Sequence, residues 1–85
     1  MARFELRFKR SGARDLRAIP GRDVKKILKR IDLLAGNPRA EGCIKLTDKE
    51  YYRVRIGNYR VVYEIRDAVL IVLVIKVAHR RNAYD

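Results

Sequence analysis

A chain of 85 residues with a hydrophobic fraction of 48% can bury one modest core, so we expect a single domain over residues 1–85. The same fraction argues against a disordered chain, and the longest apolar run, residues 68–75, is too short to span a bilayer. Lysine and arginine number 21 against 10 acidic residues, and the net charge of +11 predicts an anionic partner: nucleic acid, an acidic protein or an anionic membrane surface.

Cysteine and histidine are too scarce to build a metal or disulfide framework. Cys43 is the only cysteine, and a small chain without disulfides suits a reducing cytoplasm. His79 is the only histidine, so we expect no metal and no cofactor. Residues 1–10 alternate in polarity instead of forming a continuous apolar run, and we therefore expect no signal peptide.

The first half of the chain predicts one strand followed by two helices. Residues 3–8 alternate with period two, as in a half-buried strand. Ser11 is a suitable N-cap for a short helix that ends at Pro20-Gly21, with three residues facing inward: Ala13, Leu16 and Ile19. A longer helix is predicted over residues 22–35, where apolar residues recur at helical spacing: Val24, Ile27, Leu28, Ile31, Leu34 and Ala35.

Five basic residues lie mostly off the apolar stripe of the longer helix: Arg22, Lys25, Lys26, Lys29 and Arg30. They form either a solvated helix face or a surface for nucleic acid or a protein partner. We favour the solvated face, because charged residues on the outer side of a surface helix are ordinary.

The second half predicts a connecting segment and a three-stranded meander. Residues 37–50 read as a connection, with Ile44 and Leu46 anchoring it to the core. Strands are predicted over 51–56, 59–65 and 68–77, with turns at 57–58 and 66–67. The last strand is apolar almost throughout, as expected for a central strand covered on both faces. The order is βααβββ, an α+β fold whose small, mainly antiparallel sheet carries an N-terminal helical hairpin on one face.

A two-residue turn at Gly57-Asn58 would fix the register of the hairpin "YYRVRIGNYRVVYE". The predicted pairs are Ile56 with Tyr59, Arg55 with Arg60, Val54 with Val61, Arg53 with Val62, and Tyr52 with Tyr63. Arg53, Arg55 and Arg60 then share one face, and the apolar residues share the other. Like charges placed opposite each other are destabilising. Glu64 pairs with Tyr51 and relieves this repulsion only in part.

Arginines on a solvated sheet face need no special explanation, since period-two alternation alone would put them there. We nevertheless favour a functional face, because threonine or glutamate would serve a wet face without the repulsion. Guanidinium groups bind phosphate oxygens through two hydrogen bonds at once. The face therefore predicts phosphate binding.

The C-terminal stretch "VAHRRNAYD" follows the last strand and adds further candidates. His79 is a candidate general acid or base, Arg80 and Arg81 are candidate RNA contacts, and Tyr84 is suited to stack on a base or to donate a proton. The alternative is a frayed basic tail with Tyr84 packed on the domain.

The hairpin "YYRVRIGNYRVVYEI", the apolar strand and "HRRNAY" together resemble the RelE-type toxins of toxin–antitoxin pairs. The resemblance covers nearly the whole chain. The hairpin is typical of the wider RelE/ParE superfamily, so it indicates the fold more specifically than the target. The implied fold is a small sheet with an N-terminal helical hairpin.

RelE-type toxins enter the ribosomal A site and cut mRNA there, by attack of a 2′-hydroxyl on the adjacent phosphate. By resemblance, Arg53 and Arg55 match two basic residues before the turn. Arg60 and Arg80 match the arginines that stabilise the charged phosphorane, and Tyr84 matches the tail tyrosine. Some members carry lysine where Arg53 and Arg55 stand. Arginine stays protonated, so the base role falls to His79, to Tyr84 or to no residue.

Two other functions remain open from the sequence: a ParE-type toxin that inhibits DNA gyrase by protein binding, and a nucleic-acid-binding module without catalysis. The resemblance also implies a partner, a small acidic RelB-like antitoxin that wraps the toxin. Ribosome and mRNA would be the other partners, with no membrane.

Overall fold

The structure is a computed structural model, and it describes residues 3–79 of the chain. Two helices and five strands follow one another in the order βααββββ. The elements are β1 (Glu5–Phe8), α1 (Arg10–Arg17), α2 (Gly21–Gly36), β2 (Ile44–Lys45), β3 (Tyr51–Ile56), β4 (Tyr59–Arg66) and β5 (Ile71–His79). The strands form one sheet in the order β1-β5-β4-β3-β2, with β1 parallel to β5 and every other neighbouring pair antiparallel. The α+β class and the helical hairpin are as predicted.

The hydrophobic core lies between α2 and one face of the sheet. Helix α2 contributes Ile27, Ile31, Leu34 and Ala35, and the sheet contributes Tyr52, Val54, Val61, Tyr63, Ile65, Val72, Val74 and Val77. From α1 and the residues after it, Leu16 and Ile19 pack against this core, as predicted. Leu28 was also predicted inward, but it lies at the edge of the apolar stripe and is 40% exposed.

Helix α1 lies along the edge of β5 that β1 leaves uncovered. The Ser11 hydroxyl donates to the Ile75 carbonyl at 2.6 Å, and the Val77 N–H donates to the Asp15 carboxylate at 2.9 Å. The sequence suggested Ser11 as the N-cap, but Lys9 occupies that position. Gly12 permits the close approach, since a Cβ there would be 2.7 Å from the Val74 carbonyl oxygen.

Residues 37–50 contain a short strand that the sequence analysis missed. Ile44 pairs with Arg53 and Lys45 with Tyr52, so β2 forms one edge of the sheet. Ile44 and Leu46 do not anchor this segment to the core, since they are 51% and 43% exposed. The register puts Ile44 on the side of Arg53, which faces away from α2. The segment is held instead by Tyr63, whose hydroxyl donates to the Pro38 carbonyl at 2.7 Å.

The connection between β4 and β5 is longer than the predicted two-residue turn. Residues Asp67–Val69 form a 3₁₀ turn, and Leu70 has a left-handed backbone with φ of 54°. Strand β5 therefore starts at Ile71, and the three apolar residues before it are exposed. The apolar run of residues 68–75 continues through this turn without a typical turn residue, so the sequence did not reveal it. The face of β5 away from α2 is half-buried at Ile71 and Leu73, so the strand is not fully covered on both sides.

Arg39 joins this turn to the start of β3. Its guanidinium donates to both oxygens of Asp67, at 3.0 and 2.8 Å, and to Glu50 at 2.7 Å, and it lies over the ring of Tyr52. These hydrogen bonds lower the pKa of Glu50 to about 2 and also lower the pKa of Asp67. The cluster pins three loops at the end of the sheet remote from the Gly57-Asn58 turn.

No helix within residues 3–79 combines the length and the apolar character needed to cross a membrane.

Candidate nucleic-acid interface

The β3–β4 hairpin has the predicted register at all positions. The pairs begin at the turn with Ile56 and Tyr59, continue with Arg55 and Arg60, and end with Tyr51 and Glu64. Gly57 is the first central residue of the turn and has a positive φ of 60°. Glycine suits this position because a tight hairpin turn requires a positive φ there. Because side chains alternate along each strand, the three arginines of the hairpin share the sheet face opposite α2.

We call this surface the arginine face, and its residues form rows across the strands. One row runs Arg55, Arg60, Ala78, and the next runs Ile44, Arg53, Val62, Lys76. Neighbouring strands are about 4.8 Å apart, so the cations of both rows lie within reach of one polyanion. Lys76 was missed by the sequence analysis. The single charge in an otherwise apolar strand was the available signal.

The nearest carboxylate, Glu64, does not neutralise Arg53 or Arg55. Glu64 binds Arg66 on its own strand at 3.2 Å, and Arg53 and Arg55 make no ion pair with any residue from 3 to 79. Arg55 is exposed, whereas Arg53 and Arg60 are half-buried. Packing of the aliphatic part of a half-buried arginine side chain restricts where its guanidinium group can lie. The geometry suits the binding of a phosphate with delocalised charge.

His79 lies on the other face of the sheet. It pairs with Tyr59, and their rings meet edge to face with centroids 5.2 Å apart. The Tyr59 hydroxyl donates to Asp23 of α2 at 2.8 Å, and this bond raises the pKa of Tyr59. Both rings line a cavity of about 470 Å³ that also contacts Asp15 and Ile19. The structure therefore brings the three hairpin arginines together and separates His79 from them.

The other candidates of the C-terminal stretch, Arg80, Arg81 and Tyr84, lie outside the described residues. Within residues 3–79 there is no group of three or more histidine, cysteine, aspartate or glutamate side chains with the spacing to hold a metal ion.

The basic residues of α2 form a second cationic surface. Arg22, Lys25, Lys26 and Lys29 are exposed, and none of them makes an ion pair with another described residue. The arginine face differs because its charges are crowded on a rigid sheet, whereas the α2 charges are spread over a helix surface. Solvation alone accounts for the α2 set.

Comparison with known proteins gives consistent relatives in sequence and in three dimensions. The family described as the ParE toxin of the type II toxin–antitoxin system parDE matches residues 6–84. Toxin RelE3 of Methanocaldococcus jannaschii is 32% identical over 84 residues, which cover 92% of each chain. The toxin–antitoxin complex RelBE2 of Mycobacterium tuberculosis matches with a TM-score of 0.83 and 26% identity, over 93% of this chain and 100% of that one. The intact RelBE complex of E. coli matches with a TM-score of 0.80 and 25% identity, over 99% and 100%.

Proposed function

Because the chain is a RelE-type toxin belonging to the ParE toxin family of type II toxin–antitoxin systems, we propose that it cuts mRNA on the ribosome. The observation that carries the proposal is the crowding of Arg53, Arg55 and Arg60 on one rigid face, with Lys76 beside them. Such crowding costs stability. In the proposed function the crowded cations stabilise a phosphate that becomes more negative in the transition state.

In the proposed reaction the 2′-oxygen of one nucleotide forms a bond to the adjacent phosphorus, and the bond from phosphorus to the 5′-oxygen breaks. The products are a cyclic phosphate and a free 5′-hydroxyl. The 2′-hydroxyl loses a proton and the leaving 5′-oxygen gains one. Arg60 would stabilise the charged phosphorane, and Arg53 and Arg55 would hold the flanking phosphates. By resemblance, Arg80 would assist Arg60.

Proton transfer has no strong candidate among the described residues of the arginine face. Arginine does not act as a base at neutral pH, and His79 faces the other side of the sheet, towards Tyr59 and Asp23. The proposal therefore gives this role to Tyr84 or to no side chain of the toxin. Catalysis would rest on positioning and charge stabilisation, and the ribosome would supply the positioning.

The decisive experiment compares free and ribosome-bound mRNA in vitro, with cleavage sites read by primer extension. We expect rapid cleavage on programmed ribosomes and feeble cleavage of naked RNA. Equal rates on the two substrates would contradict the proposed dependence on the ribosome. A ribosomal target also implies that the toxin acts in the cytoplasm.

Arg60→Ala tests the chemistry of the face directly. Loss of one preorganised donor of charge stabilisation should lower single-turnover cleavage by about 10²-fold or more. The melting temperature is measured alongside cleavage, so that a loss of rate caused by unfolding is distinguished from a loss of charge stabilisation. Arg60→Lys retains the charge without the planar fork, so it should restore binding better than rate. A stable and fully active Arg60→Ala variant would remove Arg60 from the site.

We further propose a cognate antitoxin of acidic character that covers the arginine face. Two of the solved relatives are RelBE toxin–antitoxin complexes. A net charge of +11 favours a partner of opposite sign. Co-expression with a RelB-like antitoxin that binds this toxin should restore growth and yield a complex that dissociates more readily at high salt.

A ParE-type toxin that inhibits gyrase is the second candidate, and the family match to ParE toxins favours it. This function would need no RNA cleavage, and the arginine face would then contact protein. A DNA supercoiling assay with purified gyrase separates the two. Inhibition of supercoiling together with intact mRNA on ribosomes would select the ParE-type activity.

A further inference from the structure

An exposed apolar corner borders the cations of the arginine face. Ile44 lies directly beside Arg53 across the β2–β3 pair, and Leu46 is hydrogen-bonded through its N–H to the Tyr51 carbonyl at 2.8 Å. Period-two alternation puts Ile44, Leu46 and Tyr51 on the same side as Arg53. We name these three residues the apolar corner.

Residues 3–79 leave much of the apolar corner exposed. Ile44 and Leu46 are 51% and 43% exposed, and Tyr51 is half-buried. The Tyr51 hydroxyl has no hydrogen-bond partner within the described part of the chain. Its neighbour Tyr52, by contrast, is buried on the helix side, where it stacks on Tyr63. Adjacent large apolar side chains left in solvent mark an interaction site more often than isolated ones do.

We propose that the apolar corner is a platform for one nucleobase of a single-stranded RNA, with the ring of Tyr51 stacking on the base. This inference rests on the proposed function and adds a binding subsite to it. Tyr51 and Arg53 are two residues apart on one strand, about 7 Å. A nucleotide whose phosphate is held by Arg53 therefore carries its base within reach of Tyr51.

The surroundings favour RNA over a protein segment as the occupant. Single-strand binding sites combine a cationic track for the backbone with aromatic rings on which bases stack. Arg53 and Arg55 supply the track next to the ring, and they make no ion pair within residues 3–79. An acidic protein would also meet these charges, but it would have no particular use for an aromatic ring whose hydroxyl is available to a base edge.

The test measures binding of a short single-stranded RNA to the full chain, without ribosomes, across a series of salt concentrations. Tyr51→Ala should weaken binding about tenfold, the size expected for loss of one base–aromatic stack. The slope of log affinity against log salt should not change, because no charge is removed. Tyr51→Phe should bind within about twofold of the parent protein.

A matched control and an abasic RNA isolate stacking from other effects. Leu33→Ala, at a residue that is 61% exposed on α2, should leave affinity unchanged. If the platform is real, the parent protein and Tyr51→Ala should bind equally to RNA that lacks bases. If Tyr51→Ala fails to fold, Ile44→Ala at the exposed edge strand takes its place, with a loss of about threefold expected.

The outcomes separate this inference from the proposed cleavage. Base-dependent binding through Tyr51 without any mRNA cleavage would support the platform and overturn the nuclease. Cleavage with equal affinity in the parent protein and Tyr51→Ala would overturn the platform alone. Unchanged RNA binding together with escape from antitoxin neutralisation would also overturn it, since the corner would then be a protein contact.

Discussion

Replacing Gly12 by alanine tests how closely α1 packs against β5. Alanine normally improves a helix interior by about 1 kcal/mol relative to glycine. Here the new Cβ would be 2.7 Å from the Val74 carbonyl oxygen and 3.4 Å from the carbonyl carbon of Ile75. Both are backbone atoms of a central strand, and the Val74 oxygen already accepts the Lys9 N–H at 2.8 Å. Neither atom has room to move aside.

Overpacking of this kind costs about 1–3 kcal/mol, and because the atoms in the way are backbone, we expect the upper part of that range, about 2–3 kcal/mol. After the gain in helix propensity is subtracted, we expect a net loss of about 1–2 kcal/mol in the free energy of unfolding. For a domain of this size each kcal/mol shifts the melting temperature by about 4–8 °C. Gly12→Ala should therefore melt about 4–16 °C lower, as followed by circular dichroism.

Gly21→Ala is the control, because a Cβ at Gly21 meets nothing within 4 Å. It should gain about 0.4–1 kcal/mol by restricting the unfolded chain at the start of α2. If Gly12→Ala were stabilised by the same amount as Gly21→Ala, α1 would not lie against β5 as described.

Three further predictions concern stability and charge. Hydrogen bonds from Arg39 hold the pKa of Glu50 at about 2, so their stabilisation is present above the ordinary pKa of 4.5 and is lost as pH falls towards 2. In urea titrations the free energy of unfolding of Arg39→Gln should therefore fall less steeply between pH 5 and 2 than that of the parent protein. Parallel pH profiles of the two proteins would refute this. Tyr63→Phe should cost about 1–2 kcal/mol in the same titrations, because it leaves a buried carbonyl without its donor, and a neutral result would contradict that bond. Arg53→Ala should reduce the salt slope of RNA binding by about 0.7, whereas Lys26→Ala should change it less, and the reverse order would mean that α2 carries the RNA.

The hairpin was predictable because one local signal determines many pairs. A two-residue turn at Gly57-Asn58 fixes every partner along β3 and β4, and the crowding of Arg55 and Arg60 follows directly. The exposed positions of Ile44 and Leu46 were not predictable in the same way. Ile44 belongs to a two-residue edge strand, too short for alternation to reveal, and Leu46 directly follows it, so apolar character alone suggested the core.

The end of β5 shows a second limit. At this end His79 pairs with Tyr59 and Ala78 pairs with Arg60. Which side chain faces the arginines depends on an irregularity in the pairing between Val62 and Tyr63, which no residue pattern announced. For that reason the sequence did not reveal that Lys76 lies on the arginine face and His79 on the opposite face.

That irregularity is a β-bulge of one residue, and it decides which side chains at the end of β5 lie on the arginine face. Tyr63 pairs with Val74 and Val62 with Lys76, so β5 carries one extra residue, Ile75, between the two pairs. An even ladder that kept Ile75 would instead pair Ile75 with Val62, Lys76 with Val61 and Val77 with Arg60, and it would drive Lys76 into the core. Every residue from there to the end of the strand would exchange faces. The bulge at Ile75 therefore sets the chemistry of this part of the surface without any change in the hairpin, and sequences of relatives should be aligned around this residue before side chains beyond it are equated.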